Sequence, residues 1–173
     1  MRVLLVKMSS MGDVIHSLYA VEDAAQQVPG IEFDWVVEEA FADIPAMHPA
    51  VVEVLPISLR RWRRNPRDAL ASGEPAAFLR RLRERRYDLV LDGQGLLKSA
   101  LCARLANGPR VGFDAASAKE GLAAWFYDAS IRVSRDQHAV ARLRRLFAEA
   151  LGYACPGSLP VAGLRVEEGR AIA

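Results

Sequence analysis

Cysteine is scarce in this chain of 173 residues, at 2, and the pair Cys102 and Cys155 lies far apart. Two distant cysteines build no disulfide framework, so a reducing compartment is expected. Long hydrophobic runs are missing too. The N-terminal apolar stretch, Val3 to Val6, is far short of the roughly 20 residues that cross a bilayer or the h-region of a signal peptide. Strong charge of one sign is absent: the formal net charge is +2, which argues against a dedicated nucleic-acid binder. The phosphate-cradling G-x-x-x-x-G-K loop and the dinucleotide G-x-G-x-x-G fingerprint do not occur. No His, Cys, Asp or Glu group has metal-ligand spacing. Repeats and low-complexity tracts are also lacking.

What is present is an ordinary globular composition, 51% hydrophobic and 25% charged, ample for one domain with a real core. Strand and helix patterns alternate. Strands are predicted at Arg2–Lys7, Glu32–Val37, Val51–Pro56, Asp88–Asp92, Arg110–Phe113 and Ser130–Val133. Helices are predicted at Asp13–Gln27, Phe41–Met47, Pro75–Arg86, Leu96–Ala106, Lys119–Phe126 and His138–Leu151. Pro29-Gly30 and Asn107-Gly108-Pro109 mark helix ends, and Pro75 suits a first helical turn. This order implies an α/β fold, a Rossmann-like parallel sheet with helices on both faces. After Tyr153 the texture changes. Residues 1–155 read as one domain, and 156–173 as a linker or the start of a further domain.

In such sheets ligands bind beyond the carboxyl ends of the strands. The first strand there runs into Lys7, then Ser9, Ser10, Gly12 and Asp13 at a helix start. Asp13 suits a general base. It equally suits a helix N-cap, where the same dipole that favours a carboxylate weakens it as a base. Gly12 is expected to permit a tight turn. Ser9, Ser10 and the free amides suit an anion. Beyond the third strand, Arg60, Arg61, Arg63 and Arg64 crowd a predicted loop around Trp62, a grouping that fits carboxylate or phosphate as well as a solvated surface. Gly93 and Gly95 form a second strand-to-helix turn that carries Gln94 and Lys98. Ser117 and Glu120 have capping-box spacing around Lys119. His16 and His138 lie near helix starts and are open to a packed or a supporting role. The basic stretch Phe78–Arg86 reads as an amphipathic surface helix or as a face toward anionic lipid. Cys102 falls in a helical apolar pattern and is expected to be buried.

The stretch VLLVKMSSMGDVIHSLYA (Val3–Ala20) resembles the start of the type I ADP-heptose:lipopolysaccharide heptosyltransferases, inverting enzymes of glycosyltransferase family 9 with the GT-B fold. DLVLDGQGLLKSA (Asp88–Ala100), RVGFD (Arg110–Asp114), SAKE (Ser117–Glu120) and DQHAVARLRRLFA (Asp136–Ala148) match in the same order. Tyr19 departs from a common Pro. The resemblance covers essentially the whole chain, but family members are about twice as long. It implies that this chain is the N-terminal, acceptor-binding half of a GT-B fold, inactive by itself.

The resemblance further implies transfer of L-glycero-D-manno-heptose from ADP-heptose to the inner Kdo (3-deoxy-manno-octulosonic acid) of Kdo-lipid A, with inversion. Asp13 would be the catalytic base. Ser9, Ser10, Gly12, Arg60, Arg61, Arg63, Gln94, Lys98 and Lys119 would meet the acceptor, with His16 and His138 in support. ADP-heptose would bind through the C-terminal domain, with no metal or other cofactor. The protein would be cytoplasmic, with peripheral contact at an anionic membrane face. A heptosyltransferase with another acceptor, or a non-catalytic module holding an anionic glycolipid, stands as the alternative.

Overall fold

Alternation in the first strand sets the architecture. Val3 and Leu5 point to one side of the sheet, Leu4 and Val6 to the other, and all four are fully buried. A strand buried on both faces needs helices on both. In the computed structural model, which describes residues 1–161, that is what forms. Strands β1 (Arg2–Val6), β2 (Glu32–Glu38), β3 (Val51–Ile57), β4 (Leu89–Asp92), β5 (Arg110–Phe113) and β6 (Ala129–Ile131) make one sheet in the order β3-β2-β1-β4-β5-β6. Every pairing is parallel. The helices are α1 (Met11–Gln27), α2 (Asp43–Ala46), α3 (Leu59–Arg64), α4 (Pro66–Ser72), α5 (Glu74–Arg83), α6 (Leu97–Leu105) and α7 (Ala139–Leu151).

Two apolar layers result. On one face Val3, Leu5, Phe33, Trp35 and Leu91 meet Leu18 of α1 and Leu143 and Phe147 of α7. On the other, Leu4, Val6, Leu55 and Val90 meet Leu82 of α5 and Cys102 and Ala103 of α6. Cys102 is buried as expected, while Cys155 is exposed. A buried ion pair ties α1 to α7: Arg144 Nε donates to Asp23 Oδ2 at 2.5 Å. The same guanidinium donates to the carbonyls of Pro156 and Ser158. Residues 162–173, the bulk of the expected linker, lie outside the described residues.

Five expectations need correction. Arg60–Arg64 are helical in α3 and are followed by a further helix, α4, because Asn65-Pro66 restarts the helix without opening a loop. Phe41–Met47 divides into a 3-10 turn, Glu39–Phe41, and the short α2. Lys119–Phe126 forms a 3-10 helix over Gly121–Phe126, not an α-helix. The capping box expected there fails because both members are engaged elsewhere. Ser117 Oγ accepts the Val133 N–H at 2.8 Å, and the Glu120 carboxylate accepts the Leu97 N–H at 2.6 Å. The Val133 bond also ends β6 earlier than predicted.

Candidate functional site

The sheet order reverses between β1 and β4, so their carboxyl ends open a crevice at the topological switch point. Two segments fill it. From β1 come Lys7 and the Ser9-Ser10 loop leading into α1. From β4 comes the turn Gly93-Gln94-Gly95, where Gly95 takes φ +68° and has Ala118 Cα 3.3 Å from its missing Cβ. A side chain at Gly95 would be strained and crowded, so the turn requires glycine there. Gln94 is buried and stitches the two segments together, its Oε1 accepting the Met8 N–H at 2.8 Å.

Beneath this turn lies Asp92, fully buried. Its Oδ1 accepts the N–H groups of Gln94 and Gly95, and its Oδ2 accepts the hydroxyls of Ser99 and Tyr127 at 2.8 and 2.7 Å. Burial pushes its carboxyl above the usual range against those donors. The Gly93 carbonyl is thereby aimed at Lys7, whose Nζ donates to it at 3.0 Å. The Lys7 side chain is only 3% exposed. Burial lowers its pKa to about 8, although Asp13 and Asp92 favour the charged form.

Asp13 is the third residue of α1, not its cap. Ser10 precedes the helix, and its N–H donates back to Asp13 Oδ2 at 3.3 Å. Lys7 Nζ lies 3.7 Å from Oδ1 and Lys119 Nζ 3.5 Å from Oδ2. Partial burial raises the acid's pKa, but the two ammonium groups and the Ser10 amide outweigh it, and Asp13 stays below the ordinary carboxylate value. Its carboxylate lines a small cleft with Lys7, Gln94, Ser117, Lys119 and Arg142. Arg142 projects from α7. Its Nη2 donates to the Ser117 carbonyl, its Cζ sits 5.0 Å from the Phe113 ring centroid, and its buried Nε has no partner among the described residues.

The other expected residues distribute unevenly. Ser9 is buried and Ser10 exposed beside Asp13. Gly12 lies inside α1 with nothing within 4 Å of an added Cβ, so no tight turn demands it. His16 and His138 meet edge-to-face at 5.6 Å across α1 and α7, with His138 capping α7, and neither lines the cleft. Lys98, in the first turn of α6, and Arg60, stacked 5.8 Å from the Phe41 ring, both face the buried Glu38 at the end of β2. Burial raises the Glu38 carboxyl and these two cations pull it back. Arg61 is held by Glu39 and Glu74 at 3.1 and 2.8 Å. Arg63 is exposed on α3.

Lys7, Asp92, Arg142 and Glu38 escaped sequence reasoning as site residues. Lys7 and Asp92 read as strand ends, and Glu38 fell one position beyond a predicted strand. Arg142 stood in a recognised helix without a role. One signal was available: a Lys or Asp ending a strand buried on both faces has no aqueous exit except the crevice.

The parallel sheet order and the crevice at its switch point define a Rossmann-like α/β domain, and this fold matches one half of solved GT-B glycosyltransferase structures. Residues 76–172 match the family described as "Glycosyltransferase family 9 (heptosyltransferase)". The chain is 55% identical over 169 residues to lipopolysaccharide heptosyltransferase 1 of Pseudomonas aeruginosa, covering 97% of this chain and 48% of that protein. Two solved structures of the E. coli heptosyltransferase WaaC, with ADP and with ADP-2-deoxy-2-fluoro heptose, superpose with a TM-score of 0.88 at 51% identity. Each covers 91% of this chain and 50% of its own. The chain belongs to glycosyltransferase family 9, the heptosyltransferases, and spans about half the length of the curated relatives it matches.

Proposed function

We propose that this chain is the acceptor-binding half of an enzyme that moves L-glycero-D-manno-heptose from ADP-heptose to the inner Kdo of Kdo-lipid A, with inversion. The observation that carries the reading is the Asp13 carboxylate, lining a cleft between two lysines at the switch point. Asp13 takes the proton from the acceptor hydroxyl. The freed oxygen attacks the anomeric carbon of heptose, the bond to the diphosphate oxygen breaks on the opposite face, and ADP leaves. Lys7 and Lys119 keep Asp13 ionised at neutral pH, so the base is always in its accepting form. Their charge, with Arg142, favours an anionic acceptor such as the Kdo carboxylate.

Arg60, Arg63, Lys98 and Gln94, with Ser9, Ser10 and Gly12, border the same edge and are proposed to meet the acceptor. Arg61, held by two carboxylates, would have to exchange them for substrate. His16 and His138 support α1 and α7 around the cleft. ADP-heptose binds through the half of the relatives that this chain does not span, with no metal required. Among the described residues no helix is long and apolar enough to cross a membrane. A lipid-anchored acceptor calls for peripheral contact at the cytoplasmic membrane face.

The test is heptose transfer from ADP-heptose to Kdo-lipid A by the full-length gene product, wild type beside Asp13→Ala. Collapse of transfer with acceptor binding retained supports Asp13 as the base. Transfer that persists reduces Asp13 to a helix-start residue.

A further inference from the structure

The arginines of the fold divide into two populations. Those of α5 and the segment after it, the basic stretch that sequence singled out as a lipid-facing candidate, are largely fastened to the domain. Arg81 binds Glu53 at 3.0 Å, Arg85 lies 3.4 Å from the same carboxylate, and Arg83 Nε donates to the Leu105 carbonyl at 2.9 Å. Those of the α3–α4 hairpin differ. Arg64 and Arg67 are exposed and make no hydrogen bond or ion pair among the described residues. Beside them Leu70 is 77% exposed, a large apolar side chain presented to solvent by a helix whose one buried residue is Ala69. Arg67 and Leu70 stand three residues apart and share a face of α4.

The base of this hairpin is built firmly. Trp62 packs edge-to-face on Phe78 and donates to Glu74 at 2.9 Å, and Arg61 bridges Glu39 and Glu74. A fixed base under a free basic and apolar tip is a presenting surface, not a loose loop. Its position matters as well. Residue Leu59 opens α3 two positions after β3 ends, so the hairpin rises from the sheet edge that holds Asp13.

We propose that the tip of the α3–α4 hairpin, Arg64, Arg67 and Leu70, docks the protein onto anionic phospholipid. Leu70 enters the apolar boundary while the two guanidinium groups take headgroup phosphates in fork geometry. This rests on the reading of a lipid-anchored acceptor, since docking here sets the crevice at headgroup level. The charge balance favours phosphate: α3 and α4 carry Arg60, Arg61, Arg63, Arg64 and Arg67 against Asp68 as their lone acidic residue. One exposed leucine with Arg67 on its face and Arg64 at the end of the preceding helix is a small apolar area for a protein partner but sufficient for a shallow lipid contact.

The experiment sediments the full-length protein with vesicles of phosphatidylethanolamine and phosphatidylglycerol, or of phosphatidylcholine alone. Arg67→Ala and Leu70→Asp are compared with wild type and with Trp125→Ala, which removes another exposed side chain from the segment between β5 and β6, at the opposite end of the sheet from β3. Both hairpin positions are exposed, so folding is not at stake. Expected is salt-sensitive binding to the anionic vesicles. It weakens about fivefold in Arg67→Ala and roughly tenfold or more in Leu70→Asp. Transfer to a deacylated, water-soluble acceptor stays unchanged. Binding indifferent to phosphatidylglycerol, or lost in Trp125→Ala and kept in the hairpin variants, overturns the proposal. Equal loss of transfer to the soluble acceptor also overturns it, because the hairpin then belongs to the acceptor subsite. If wild type transfers to neither acceptor, the functional reading fails while the vesicle result still judges the docking.

Discussion

Replacing Lys7 by Met makes the protein more stable at neutral pH, and the gain disappears in alkali. Burial lowers the Lys7 pKa from 10.5 to about 8, so the folded state holds this proton less tightly than the unfolded chain. Stability rises with pH wherever the unfolded state binds more protons. The wild type therefore carries its full penalty below about pH 8 and sheds it as pH climbs toward 10.5. That gap corresponds to about 3 kcal/mol. Methionine fills a similar volume without the charge. The Gly93 carbonyl loses its donor, which returns about 1 kcal/mol, and so about 2 kcal/mol of net stabilisation remains.

The measurement is urea denaturation of both proteins at pH 7 and again near pH 10. Tyrosines also titrate at the higher pH, but they do so in both proteins and cancel in the difference. Lys7→Met exceeds wild type by about 2 kcal/mol at pH 7, or roughly 4–8 °C in Tm for a chain of this size. The advantage shrinks toward zero or below at pH 10. A variant less stable than wild type at pH 7, or an advantage that ignores pH, refutes the argument. It would mean that the lysine is well enough paired with Asp13 to offset its own desolvation. The complementary readout is transfer by the full-length protein, which falls in the same variant.

Three further outcomes follow from buried groups. Asp23→Ala leaves the Arg144 guanidinium buried without its carboxylate and costs about 3–5 kcal/mol, read as a lower urea midpoint; Asp23→Leu with Arg144→Met recovers most of the loss. Tyr127→Phe removes one of four donors to the buried Asp92 and costs about 1–3 kcal/mol in the same assay, with no change in the accessibility of the Asp13 cleft to acceptor. Ellman's reagent modifies Cys155 rapidly in the native protein. It reaches Cys102 only on unfolding, since burial raises that thiol's pKa to about 12.

Particular residues mark where sequence reasoning succeeded and where it stopped. The strands of the sheet were legible because burial on two faces writes a continuous apolar run, as in Val3 to Val6, and because Gly and Pro punctuate it. Asp13 was legible by its place after such a run. The arginine hairpin was misread as a loop because short polar helices carry no apolar period. What steadies α3 is a contact between Arg61, Glu39 and Glu74, residues with no visible relation along the chain. Asp92 and Lys7 share that difficulty. Each reads as a polar residue closing a strand, and its meaning arises only when β1 and β4 lie side by side.

The same juxtaposition resolves the tension over Asp13. A carboxylate in the first turn of a helix is a weakened base, and two lysines weaken it further. Yet one of those lysines, though still charged at neutral pH, holds its proton less tightly than a free lysine, with a pKa of about 8, because it is buried. An acceptor that fills the cleft excludes water from both groups. Desolvation then raises the pKa of the carboxylate and lowers that of the lysine, and both changes make Asp13 a stronger base. If Asp13 is the base, as proposed, it is weak in the empty site and strengthens when the acceptor arrives, which protects the proton-accepting form until there is a hydroxyl to use it on.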